Sequence, residues 1–191
     1  MNRNKLILMA IAVAACAMIA FGQTWTPAPG SWVKVTGTST LHDWEVKSEA
    51  VKGSLSFPAD FFENQAASGV HATVVIGASS LQSHSGRMDR VMYEALKVKE
   101  HPEIRYVLRS AKATSANAAT ITGDLTIAGK TKEVPIEVSV ARPEKTGLIL
   151  TGTVPINMKD FGIDPPTAML GTVRTGEKVE VTFQWSVKTE K

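Results

Sequence analysis

The sequence predicts an all-β fold of about eight antiparallel strands with one or two short helices in the loops. Three observations carry this. Apolar residues recur with a period of two through most of the 191-residue chain. Most links between the periodic stretches are too short for the crossovers that parallel strands need. One segment alone keeps a clear helical period. Eight such strands, each apolar on one face, must stack as a sandwich or close as a barrel.

In chain order, strands are expected near Trp32–Ser39 and Trp44–Phe57, and then over Val70, Ala72, Val74 and Ile76. A weaker helical turn falls at 64–68. Between Gly86 and Lys97, Met88, Val91, Met92, Ala95 and Leu96 fall at i, i+3, i+4, i+7 and i+8. That spacing makes an amphipathic helix, capped by Ser83 or Ser85 and stopped before His101-Pro102. Ile104, Tyr106 and Leu108 alternate with Arg105 and Arg109, and Ile121, Gly123, Leu125 and Ile127 repeat the pattern. Ala128-Gly129-Lys130-Thr131 is a tight hairpin link into Val134, Ile136, Val138 and Val140. Lys145-Thr146-Gly147 turns the chain into Leu148, Leu150, Gly152, Val154, Ile156 and Met158. Asp160–Gly176 lacks any period and has the length of a loop that borders a site. Val179, Val181, Phe183, Trp185 and Val187 close the pattern.

The N-terminus reads as an export signal over residues 1–22. Arg3 and Lys5 precede the apolar run Leu6–Phe21, and Ala20-Phe21-Gly22 suits cleavage after Gly22. Residues 23–30 are expected to be a linker and 31–189 the folded domain. The expected location is periplasmic or secreted. Val13-Ala14-Ala15-Cys16 offers the alternative of a lipoprotein anchored at Cys16, since it is similar to a bacterial lipobox. Cleavage after Gly22 removes the sole cysteine, and with it disulfides, thiol catalysis and thiolate metal sites. It also removes two of 21 basic residues, leaving 19 against 18 acidic. Nucleic-acid binding driven by basicity is thereby excluded.

Candidate chemistry is sparse. His42-Asp43 are strand neighbours that point to opposite faces, so they do not form a dyad without a turn. Ser83-His84-Ser85 suits capping better than nucleophilic catalysis, having no oxyanion-forming glycine motif beside it. The four histidines, at 42, 71, 84 and 101, show no metal-ligand spacing. Gly129-Lys130-Thr131 lacks the preceding glycine of a phosphate loop, with Asp124 at that position. No catalytic residue, cofactor or metal is expected. The apolar inventory is richer. Met88 and Met92 on the helix, with Met158, Phe161 and Met169 near the long loop, could line a site for ligands of imprecise shape. Gly53, Ala72, Gly123 and Gly152, on the apolar face, are expected to leave room inside.

The order of motifs carries a resemblance. Gly37-Thr38-Ser39-Thr40-Leu41-His42-Asp43-Trp44 is followed by Val51-Lys52-Gly53-Ser54-Leu55-Ser56-Phe57, and the helix runs into His101-Pro102-Glu103-Ile104. Gly123-Asp124-Leu125-Thr126-Ile127-Ala128-Gly129-Lys130-Thr131 and Asp160-Phe161-Gly162-Ile163 come next. Over about Trp32 to Val187 the chain resembles the YceI-like family of bacterial periplasmic, polyisoprenoid-binding proteins. The resemblance implies an eight-stranded, antiparallel, lipocalin-like barrel that holds an isoprenoid or other long-chain amphiphile without catalysing a reaction.

On that reading Leu55, Phe57, Val74, Ile76, Leu108, Leu125, Val138, Leu150, Phe183 and Trp185 line the channel. Met88, Met92, Phe161 and Met169 gate its end, and His42, His101 and Arg105 meet a polar head. The expected partner is an isoprenoid or other lipid, with no nucleic acid and no metal. A homodimer through exposed strand edges and transient membrane contact are further expectations. The competing readings are a packed envelope module without ligand and a lipid-processing hydrolase or isomerase using His42 or His84.

Overall fold

A computed structural model describes residues 23–64, 69–143, 147–168 and 171–189. Its strands are β1 (Gln23–Pro27), β2 (Trp32–Ser39), β3 (Trp44–Ser48), β4 (Val51–Phe57), β5 (His71–Gly77), β6 (Glu103–Ser115), β7 (Ala118–Ile127), β8 (Lys130–Ala141), β9 (Gly147–Asn157), β10 (Thr167–Ala168) and β11 (Val173–Thr189). Two helices lie between them, α1 (Phe61–Asn64) and α2 (Gly86–Ala95).

These strands fill eight positions of one closed antiparallel barrel. β4 through β9 pair in sequence, β9 pairs with β11, and β11 returns to both β1 and β2. β1 and β2 share one position, and β3 and β4 share the next, pairing β2 and β1 respectively. The sequence counted each of these positions once. β10 lies off the ring as a short strand against β11.

Residues 23–30 are not a linker. Trp25 pairs with Thr189 on one side and Leu55 on the other, which makes β1 the strand that closes the barrel. Pro27, Pro29 and Gly30 masked this in the sequence, because they break β1 from β2 without ending the pairing. Ser31 bridges the break: its buried hydroxyl accepts from the Ser186 amide at 3.1 Å and lies 3.1 Å from the Ser186 carbonyl. The second break, after Ser48, is held by the Ser48–Ser80 hydroxyl pair at 2.7 Å.

Inward faces follow the period of two. On β8, Val134, Ile136, Val138 and Val140 are buried between exposed neighbours. β7 turns into β8 through Ala128 (φ 48°) and Gly129 (φ 76°), the pair of left-handed residues a two-residue type I′ hairpin requires. β6 carries a bulge between Leu108 and Ser110. Past it the inward residues shrink from Ile104, Tyr106 and Leu108 to Ala111 and Ala113.

α2 follows the predicted stripe, and Ser85 is its cap, accepting from the Met88 amide at 3.4 Å. A short helix does precede 64–68, at Phe61–Asn64, while 65–68 and 144–146 lie outside the described residues. So do residues 1–22, and with them the expected export signal and Cys16. Closure pairs the long strand edges on which the expected homodimer relied.

Candidate functional site

An up-and-down barrel of this size either fills its interior with side chains or encloses a cavity. Here a cavity of about 480 Å³ runs along the axis. Its wall is hydrocarbon over nearly its whole length. Leu55, Phe57, Val74, Ile76, Leu108, Leu125, Val138, Leu150, Phe183 and Trp185 all line it, and Met88 and Met92 reach it from α2.

The two ends differ. At one, α2 lies with Val91, Ala95 and Leu96 against the cavity, and the rim carries Ser39, His42, Ser85, Arg87, Thr167 and Thr175. The loop that presents His42 is held from within, Ser39 Oγ accepting from the Leu41 and His42 amides at 3.2 Å. Thr40 ties it to the opposite rim, accepting from the Arg174 amide at 3.1 Å. His42 Nδ1 lies 2.8 Å from the Asp43 carbonyl, so the imidazole binds its neighbour's backbone and not the carboxylate. Tyr93 fastens α2 from outside, its hydroxyl 2.7 Å from the Leu81 carbonyl and 2.9 Å from that of Ser79. At the other end Phe57, Phe61 and Phe62 line the cavity. Trp25 stacks on Phe57 with ring planes 3° apart, and Phe61 meets Phe62 edge-on at 4.8 Å.

The small inward residues do not leave the space expected of them. A Cβ on Gly123 would lie 2.5 Å from the Tyr106 ring, and one on Gly152 would lie 2.7 Å from the ring of Phe183. Gly37 meets Trp44 in the same way. Each glycine seats an aromatic ring flat against the wall, so the lumen comes from the girth of the barrel. Gly53 is pressed against the Thr73 carbonyl at φ 150°, where a side chain would be strained.

Three predicted site residues stand elsewhere. Phe161, 2% exposed, packs into the core beneath the turn Met158–Phe161 and does not line the cavity. The His101 ring lies over Gly129 on the β7–β8 hairpin. Arg105 is exposed on the outer face, because its neighbours Ile104 and Tyr106 take the inner one. Met169 lies outside the described residues.

Sequence reasoning missed Arg87, the only Lys, Arg, Asp or Glu among the lining residues. It shares a helix face with Val91 and Ala95 at i+4 and i+8, a spacing that would have found it. Tyr106 was read only as one of the alternating residues of its strand. Its hydroxyl is buried without a protein partner, and burial, reinforced by the charge of Asp124, pushes the phenol well above its ordinary range. The Trp185 indole N–H is likewise buried and unpaired. Among the described residues no group of three or more His, Cys, Asp or Glu could hold a metal.

A closed barrel with a hydrocarbon lumen, polar at one end and aromatic at the other, defines a cup-shaped up-and-down barrel with an interior cavity. The chain belongs to the YceI-like domain family, whose family model matches residues 21–187. A UPF0312 protein of Pseudomonas putida (strain W619) is 32% identical over 117 residues, which cover 56% of this chain and 60% of the relative. A UPF0312 protein of Pseudomonas syringae pv. tomato is 29% identical over 113 residues, covering 56% of this chain and 57% of the relative. The match thus spans about 60% of the length of these curated relatives.

Among solved structures, BcnA of Burkholderia cenocepacia superposes with a TM-score of 0.68 at 19% identity, over 82% of this chain and 95% of its own. A polyisoprenoid binding domain from Saccharophagus degradans, implicated in plant cell wall breakdown, gives 0.69 at 12% identity, over 88% and 99%. At these identities the likeness establishes the fold.

Proposed function

We propose that this protein is a periplasmic, non-catalytic binding or carrier protein for a polyisoprenoid or similar long-chain amphiphile. The observation that carries the reading is the distribution of polarity in the lumen. Hydrocarbon makes most of the wall from the aromatic end to α2, with Tyr106 and Gln184 as polar exceptions, and hydroxyls, one imidazole and one guanidinium gather at one rim. Such a surface matches a molecule with a long apolar tail and one polar end. Burying a methylene contributes about 0.8 kcal/mol, so one five-carbon unit contributes about 3–4 kcal/mol before the cost of ordering the chain.

Family membership and the fold shared with a polyisoprenoid binding domain support the same reading. The tail enters past α2, and the head stays at the rim with His42 and Arg87. These two replace the trio His42, His101 and Arg105 expected from the sequence. Transient contact of this rim, where Leu41 is 67% exposed, with a membrane is part of the reading.

Mass spectrometry of protein purified from a bacterial envelope, under native and organic-extracted conditions, tests this. A stoichiometric, extractable lipid is expected, and its mass gives tail length and head group together. Protein that is empty and takes up neither prenols nor fatty amphiphiles would overturn the reading.

A further inference from the structure

We infer that the aromatic end of the barrel is a fixed floor that sets an upper limit on the length of the tail held inside. This deepens the binding reading above and rests on it.

α1 joins two walls of the barrel end through its side chains. It follows β4, whose Phe57 lies 5.8 Å from Phe62 and 6.0 Å from Phe61. Phe61 then packs among Ala111 and Ala113 of β6 and Ala119 of β7. Phe62 reaches the far side, where the guanidinium of Arg142, one residue past β8, lies 4.6 Å from its ring centre. Arg142 is itself fixed, donating to the Ala116 carbonyl at 2.8 Å and to Asn117 Oδ1 at 2.7 Å. In the eight-position ring, β4 and β8 stand opposite each other. The floor is therefore a strut and not a flap.

The bulge in β6 is what admits it, since only alanines face inward past Leu108, and Ala113 is 0% exposed. Above this floor the cavity holds about 480 Å³. A tail longer than the lumen must leave its remaining carbons outside α2, in water, where they add no affinity.

The test uses linear all-trans prenols of 10, 15, 20, 30 and 40 carbons, scored by native mass spectrometry in competition against the mature chain. Affinity is expected to rise steeply with length up to a break within this series and to gain less than threefold beyond it. Two variants move the break in opposite directions. Phe62→Ala opens the strut, so that the first prenol beyond the break gains at least tenfold over its affinity for the unmodified protein. Val70→Phe, at a half-buried position beside Phe61, raises the floor and moves the break to a shorter prenol. Circular dichroism and a melting curve establish that each variant folds. Affinity that climbs steeply to 40 carbons in the unmodified protein, or a limit unmoved in both folded variants, would overturn the floor while leaving the binding reading intact. Failure to bind any prenol would remove both.

Discussion

The two ends of one barrel obey different physics. At the aromatic end Phe61 is 3% exposed and Ala113 0%, and rings meet rings at 4.8–6.0 Å. Cores packed in this way have no low-energy alternative arrangement. At the polar end α2 has no buried residue at all, and its apolar stripe rests on the lumen. It is held by a cap, by Asp89 accepting from the Ser83 amide at 2.7 Å, and by the Tyr93 hydroxyl. Segments with few buried contacts open at a small fraction of the global unfolding free energy. One end is packed as a core, and the other is held by a few surface ties.

The sharpest way to break this contrast is Phe61→Ala, which empties the best-packed part of the floor. It should lower global stability by about 3–5 kcal/mol, read as a fall in urea midpoint. An equally large loss from Leu96→Ala at the mouth would contradict the contrast. Next in size is Leu125→Trp, which fills the lumen without touching either end. A probe such as geranylgeraniol should lose at least a hundredfold in affinity, about 2.7 kcal/mol, with the melting temperature little changed. Gly123→Trp is the wrong plug, because its Cβ would strike the Tyr106 ring and the Val107 carbonyl, and it should fail to fold.

Arg87→Ala separates the ends by charge. Geranylgeranyl phosphate should bind about tenfold more weakly, about 1.4 kcal/mol, while geranylgeraniol is unaffected, in paired titrations at low and high salt. The smallest effect belongs to Tyr93→Phe, which removes the hydroxyl tie of α2. Hydrogen exchange should quicken in α2 by about fivefold, corresponding to about 1 kcal/mol, and stay unchanged in β8.

Most of the barrel wall was legible in the sequence because a strand with one buried face writes its register as alternation. Val134 to Val140 and Val179 to Val187 show this best, and the Ser85-capped helix was equally plain. Closure was not legible. It depends on β1, whose prolines and glycine imitate a linker, and on a hydroxyl of Ser31 that no pattern marks. The site split along the same line. Inward wall residues follow from parity, whereas the rim depends on which loops meet. Arg105 and His101 have suitable chemistry but face the wrong way, and Arg87 was concealed within an apolar stripe. Glycine was misread because sequence shows the missing side chain and not the aromatic ring that covers it.

The seam between first and last strands has a kinetic consequence. Ser31 and Ser186 stand 155 residues apart in the chain, yet their pairing completes the ring. Contacts so distant in sequence form late, and folds that depend on them fold slowly. Until β11 arrives, the hydrocarbon interior is an open sheet with two unpaired margins and an apolar face in water. The same seam sets Trp25 beside Thr189, so a permuted chain joined there and cut at Ala128-Gly129 should recover the barrel. In that permutant the former ends become a local hairpin, and the slowest step of assembly moves to the β7–β8 junction.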